Sequence, residues 1–202
     1  MRSVLIISEE YPPKEIGKTS SIVKFFSSEL LKRGFLVSVL THDEFNVGTS
    51  IENSIRVTRV SSPVRTFYSI FALETYLTTQ YIREGVNIIL GEKVDLIISF
   101  EWISFLSAYM LSSKFSVPWA AIIQTSEKER SKNSFDLLSI SIANIERDLL
   151  KKANIILTNS LKTYETLTNE YSIDSRRIAV VDLEAEYCIS FLLSMIKNKN
   201  AY

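Results

Sequence analysis

The chain has 202 residues, which suits one domain or two small ones and a core that buries about 70% of the unfolded surface without staples. Hydrophobic residues at 46% and charged residues at 23% exclude a disordered chain, and 23 Lys+Arg against 23 Asp+Glu leave no overall field to draw in nucleic acid or an acidic membrane. A single cysteine, Cys188, excludes an internal disulfide and a cysteine-built zinc site, and a single histidine, His42, excludes every two-histidine metal centre.

The opening run Val4-Leu5-Ile6-Ile7-Ser8 has strand length and is too short for a secretory signal, with Glu9-Glu10 directly behind it. Residues 21–33 have helical spacing: Ile22, Phe25, Phe26 and Leu30 share one face, and Gly34 stands where a helix stops. Residues 35–41 read as a second strand. Residues 43–53 read as a mobile loop. Residues 55–61 form a third strand, and the alternating Arg56 and Arg59 place it nearer an edge.

From Pro63 to about Gly91 the pattern is helical, with Phe67, Ile70, Phe71, Leu73, Leu77 and Tyr81 on the apolar face and Gly85 as a possible divider. Residues 96–100 form a buried-type strand, apolar throughout at Leu96-Ile97-Ile98, and 102–113 a helix. The most membrane-like stretch, 96–113, is interrupted by Glu101 and several serines, so it reads as strand plus helix and not as a span. Strand 118–124, polar loop 125–133, helix 135–152, strand 155–158, helix 161–171, strand 178–181 and a helix near 184–197 complete the chain. Within the last, Tyr187, Ile189, Phe191, Leu192, Met195 and Ile196 make an amphipathic face.

This alternation predicts an α/β fold: a single Rossmann-like, doubly wound parallel sheet with helices on both faces, spanning 1–202 as one domain. The default is a soluble cytoplasmic protein with no transmembrane segment. Ligands in such sheets bind beyond the carboxyl ends of the strands. Those ends carry Ser8-Glu9-Glu10, Thr41-His42-Asp43, Ser61-Ser62, Glu101-Trp102, Gln124-Thr125-Ser126 and Asn159-Ser160. Helix capping alone accounts for many polar residues at such places, and His42 reads first as a surface or capping residue. So many polar ends with a tryptophan among them still point to a binding crevice.

The loop Glu9-Glu10-Tyr11-Pro12-Pro13-Lys14-Glu15-Ile16-Gly17-Lys18-Thr19 has two readings. Gly17-Lys18-Thr19 ends like a phosphate-binding P-loop, but Pro12 stands where the first glycine belongs and has no N–H to offer. Glu15 would repel a phosphate inside such a cradle. The dinucleotide fingerprint G-x-G-x-x-G is absent.

The other reading is a resemblance. The opening strand, the Ile-Gly-Lys loop and Leu-Leu-Lys-Arg-Gly, then Asp-Leu-Ile-Ile-Ser-Phe-Glu-Trp at 95–102, then Ala-Asn-Ile-Ile-Leu-Thr-Asn-Ser at 153–160 and Arg-Arg-Ile-Ala-Val-Val at 176–181, follow each other in the order of the amino-terminal domain of GT-B glycosyltransferases. The chain is similar to family 4 enzymes and the glycogen and starch synthases. The resemblance implies an acceptor-side half of a nucleotide-sugar-dependent hexosyl transfer site, with a carbohydrate acceptor and no metal or other cofactor. The glutamate pair and the nucleotide grip belong to a second domain of that family. No catalytic residue is therefore assigned here.

Residue by residue, the resemblance implies that Gly17 approaches a donor diphosphate, with Lys18 in place of a second glycine and Glu15 in place of a lysine. It implies that Glu101 and Trp102 line the sugar cleft, with Ile103 where a histidine often follows. Gln124 takes the place of the family's histidine. Asn159 and Ser160 belong to the same edge, and His42 ends the second strand. The length implies a complete small domain whose final helix covers the sheet. It would work with a separate donor-domain protein or as a homodimer. The alternatives are a non-catalytic sugar-binding or scaffolding domain of that fold, and a P-loop-like nucleotide-binding protein using Gly17-Lys18-Thr19.

Overall fold

The computed structural model describes residues 2–62, 69–132, 134 and 136–199, with side chains to 194. The chain forms β1 (Ser3–Ser8), α1 (Thr19–Lys32), β2 (Leu36–His42), β3 (Gly48–Glu52), β4 (Ile55–Val60), α2 (Ile70–Glu92), β5 (Leu96–Phe100), α3 (Trp102–Phe115), β6 (Trp119–Ile122) and α4 (Glu127–Arg130). Then follow α5 (Leu137–Leu150), β7 (Ile155–Thr158), α6 (Leu161–Glu165), β8 (Ile178–Val180) and α7 (Glu186–Lys199). The eight strands make one sheet in the order β3-β4-β2-β1-β5-β6-β7-β8, and every pair is parallel except β3 with β4.

The apolar strands are apolar because both faces are covered. On β1, Leu5 and Ile7 join one core with Tyr81 of α2, Phe105 and Leu111 of α3, Trp119 and Leu150 of α5. Val4 and Ile6 join the other with Phe26 and Leu30 of α1 and Ile189 and Leu192 of α7. Each such side chain contributes about 1.5–3 kcal/mol on leaving water. Trp119 is fully enclosed, donates Nε1–H to Ser99 Oγ at 2.7 Å, and meets Phe105 edge-on at 5.9 Å between ring centroids. Cys188 lies in the second core, and burial pushes its thiol up to about 12.

Gly34 ends α1 as expected. It takes φ +81°, its N–H reaches Leu31 O at 2.9 Å and the Phe35 N–H reaches Leu30 O at 3.1 Å, the two bonds of a Schellman ending. α7 covers the sheet beside α1, although Tyr187 and Phe191, expected on its apolar face, point outward. Pro63 and Phe67 lie outside the described residues.

Three expectations are corrected. The segment 43–53 is not a loose loop: β3 pairs antiparallel with β4 and takes the sheet edge. Asp43 Oδ1 accepts the N–H groups of Phe45 and Asn46 at 2.8 and 3.1 Å, and Glu52 of β3 clamps the buried Arg59 guanidinium (Nη2–Oε2 3.1 Å), as Thr49 bonds Thr58 at 3.0 Å. β4 is consequently one strand in from the edge. Gly85 does not divide α2, which runs unbroken to Glu92. The segment 125–133 carries α4, started by a capping box in which Ser126 and Glu129 satisfy each other's backbone N–H groups.

Candidate functional site

The strand order reverses at β1. From it the chain builds outward through β2 and β4, then crosses back to β5, β6 and β7. β1 and β5 are adjacent with Ser8 opposite Phe100, so their carboxyl ends form the switch-point crevice. A cavity of about 340 Å³ lies there, with polar lining from Glu9, Glu10, Thr19 and Glu101 and apolar walls from Phe100, Trp102 and Leu138.

Glu101 is the junction of β5 and α3. Its backbone sits at φ 61°, ψ 158°, a region open in practice to glycine, and holding it there costs on the order of 1–3 kcal/mol. The surroundings fix this turn. The Glu101 N–H continues the sheet to Ile122 O at 3.0 Å, and Ser104 Oγ donates to Phe100 O at 2.7 Å and Glu101 O at 2.9 Å. The turn aims the carboxylate across the top of β6, where Oε1 accepts the Gln124 N–H at 3.1 Å and Gln124 Nε2 at 3.3 Å. Gln124 Nε2 also donates to Thr19 Oγ1 at 3.0 Å, so one amide ties the start of α1 to the start of α3. Trp102, the first residue of α3, is half-buried beside Phe71, with centroids 6.2 Å apart and planes at 73°.

Burial pushes the Glu101 carboxyl up to about 7, against the lowering pull of the Gln124 N–H and the Arg130 guanidinium, while the Glu146 carboxylate pushes the same way as burial. Its folded value thus lies above the ordinary 4.5. The stability it allows is complete below about pH 4.5 and is lost as pH rises through about 7. Replacing Glu101 by glutamine removes that loss. We expect the variant to gain about 2 kcal/mol on the wild type between pH 5 and pH 8 in urea unfolding. An equal difference at both pH values refutes this account of the carboxyl.

Behind Glu101 lies a network that no local pattern in the sequence announces. The wholly buried Glu146 of α5 accepts Arg130 Nη2 at 2.5 Å, the Glu127 N–H at 2.8 Å and the Tyr171 OH at 2.9 Å. Arg130 also donates to Glu127 Oε2 from Nε at 3.1 Å, and its Nη1 stands 3.8 Å from Glu101 Oε2. The S-x-x-E spacing at Ser126–Glu129 is a local signal for the α4 cap that the reading of 125–133 as a polar loop passed over; the long-range partners leave no such signal.

The β1–α1 loop is held from both sides. Arg59 Nη2 donates to Pro12 O at 2.6 Å, and Glu10 Oε2 accepts the N–H groups of Ile16 and Gly17 at 3.1 and 3.0 Å. The loop amides that a phosphate would need are thus directed at a carboxylate of the same loop. Lys18 is exposed and starts α1 without a side-chain cap.

The other expected residues lie around this centre. His42 is buried at the end of β2, 2.9 Å from Lys14 Nζ through Nδ1 and 2.7 Å from Glu44 Oε1 through Nε2. An ammonium only donates, so Nδ1 accepts and the ring proton sits on Nε2. Lys14 continues to Glu9 at 3.2 Å, which links His42 to the cavity indirectly. Ser160 caps α6, its Oγ accepting the Thr163 N–H at 3.2 Å, and Thr163 Oγ1 donates to Gln124 O at 3.0 Å. Asn159 is exposed beside it. Glu101, Trp102 and Gln124 therefore meet at the crevice, Gly17 reaches it through Glu10, and Lys18, His42, Asn159 and Ser160 stand around it.

Set against known proteins, residues 20–182 match the sequence profile of Glycosyltransferase Family 4. No curated protein sequence matches the chain. Among solved structures, one sucrose-phosphate synthase chain from Thermosynechococcus elongatus superposes with a TM-score of 0.69, 12% identity and coverage of 98% of both chains. A second chain of that synthase gives 0.74 at 13% identity over 90% of this chain and 48% of that one. The lipopolysaccharide outer core galactosyltransferase WaaB gives 0.60 at 11% identity, over 88% of this chain and 44% of that one. At these identities the likeness speaks for the fold, and this chain spans about half the length of the last two.

Proposed function

The chain belongs to glycosyltransferase family 4, and from that premise we propose that it supplies the acceptor-side half of a site for hexosyl transfer from a nucleotide-sugar. The observation that carries the proposal is the switch-point cavity, where Trp102 offers an aromatic wall to a pyranose ring and Glu9, Glu10 and Glu101 offer hydroxyl acceptors. Gln124 donates into the same cluster and is a hydrogen-bonding group in place of a proton-exchanging one. A nucleotide-sugar is the donor substrate; an Arabidopsis thaliana relative of this fold was solved complexed with UDP-L-rhamnose.

A donor-binding lobe, on the same or a separate polypeptide, would sit over the carboxyl ends of the strands. Large apolar side chains stand exposed around that rim: Ile16 after β1, Phe45 after β2, Leu137 at the start of α5 and Leu161 at the start of α6. Without that lobe the chain is expected to bind carbohydrate and to transfer none.

Saturation-transfer NMR with neutral mono- and disaccharides tests this. Binding should weaken about tenfold, close to 1.4 kcal/mol, in Trp102→Ala. Absence of binding by every saccharide ends the carbohydrate reading. Sugar transfer by the isolated chain ends the assignment to one half of a site.

The second reading, a non-catalytic sugar-binding or scaffolding domain, is favoured by Glu10 sitting on the Ile16 and Gly17 amides. If Glu10→Gln leaves the chain unable to support transfer with any donor-binding partner, while saccharide binding persists, this second reading stands.

A further inference from the structure

We infer that Arg130 is a positioning residue of the cleft, through which charge at the mouth, on Glu101, answers to the buried Glu146 on the far side of α4. Its use by a carbohydrate rests on the reading above; its existence does not.

The geometry is asymmetric. Three carboxylates share one guanidinium: Glu146 at 2.5 Å, Glu127 at 3.0 Å and Glu101 at 3.8 Å. Glu146 is fixed by two further donors, the Glu127 N–H and the Tyr171 OH. Of the three, only Glu101 lines the cavity. Its remaining donors, the backbone and side-chain N–H groups of Gln124, are neutral. Glu9 and Glu10 line the cavity with it from the β1 side, Glu9 already paired with Lys14. Among the described residues Arg130 is the cation that pairs with Glu101, and Glu101 stands farthest from it of the three carboxylates, while the Glu146 charge repels it.

One consequence is chemical. An ionised Glu101 only accepts hydrogen bonds, whereas a protonated one also donates. A bound hydroxyl would have to turn over between the two states. Burial is the strongest influence raising Glu101 towards neutral pH; Arg130 lowers it and Glu146 raises it.

Glutamate-selective carbon-13 labelling, with the Glu101 signal identified by its loss in Glu101→Gln, measures the midpoint directly. The wild type should titrate in the neutral range. Glu146→Gln, which removes the repelling charge and leaves Arg130 to Glu101, should lower the midpoint by roughly one pH unit. Arg130→Met should raise it by a similar amount. A purely structural role would not move the midpoint in opposite directions.

Should Arg130→Met fail to fold, Arg130→Met/Glu146→Leu removes both influences together and should return the midpoint to within a few tenths of a unit of the wild type. A Glu101 that titrates in the ordinary carboxylate range, or whose midpoint ignores both neighbours, overturns the inference. Saccharide binding followed in the same samples keeps the two proposals apart. Loss of all binding sinks the carbohydrate reading and leaves the titration result standing, and binding with an unmoved midpoint does the reverse.

Discussion

Arg130→Met is expected to lower the unfolding free energy by about 3 kcal/mol, because it leaves the Glu146 carboxylate buried without a cation. The guanidinium is about a third exposed, at 32%, whereas Glu146 is wholly enclosed, so the loss falls on the glutamate side. Burial already holds the Glu146 carboxyl above its ordinary value; the Arg130 charge, the Glu127 N–H and the Tyr171 OH act against that rise. Without the arginine, the Glu146 charge draws water into the interior or opens the helix pair α4–α5.

Removing both partners is a different matter. Arg130→Met/Glu146→Leu should recover most of the lost stability, since two apolar groups need no compensating charge. Urea unfolding of the wild type, the single variant and the double variant at pH 7 decides this. A single variant as stable as the wild type would mean that solvent reaches Glu146.

The second large effect is expected at Gly85. A Cβ built there would stand 2.4 Å from Leu111 Cδ1 and 3.2 Å from Cδ2. Leu111 is itself enclosed in the core with Tyr81, Phe105 and Trp119 and has no solvent to swing into. Gly85→Leu gains about 1 kcal/mol of helix propensity, yet it forces a whole side chain between α2 and α3. The net cost should be about 3 kcal/mol, read as a lower urea midpoint with an unchanged slope. An unchanged midpoint would show that the two helices separate freely.

The same two helices reach the cavity at their other ends. α2 supplies Ile70 and α3 supplies Trp102 to the cavity, and Phe71 meets Trp102 edge-on. The glycine that the sequence offered as a break in a helix is instead where α2 and α3 come into close contact.

The fold was largely legible. Val4 to Ile7, Leu96 to Ile98 and Ile155 to Leu157 are continuous apolar runs, and a run of that kind is stable only in a sheet covered on both faces. Gly34 marked a helix end through its freedom at positive φ. The edge strand Gly48–Glu52 was missed because its residues are mostly exposed and lack the alternation of a half-buried strand. It is held by pairing to β4 and by the Glu52–Arg59 clamp, and a partner strand's contribution does not show in the composition of the strand that receives it.

The site divides the same way. Alternating strands and helices, together with the rule that ligands lie beyond strand ends, already pointed to Glu9, Glu10, Glu101, Trp102 and Gln124. Those residues are local to the strand ends, and chain order alone puts them on one edge. The protonation of Glu101 was not legible. It depends on Arg130 from α4, Glu146 from α5 and Gln124 from the end of β6, groups 23 to 45 positions away that the sheet and its helices bring together. Periodicity specifies which residues leave water; which charges then face one another is decided only when the helices pack, because Coulomb interactions in a low-dielectric interior depend on distance through space and not along the chain.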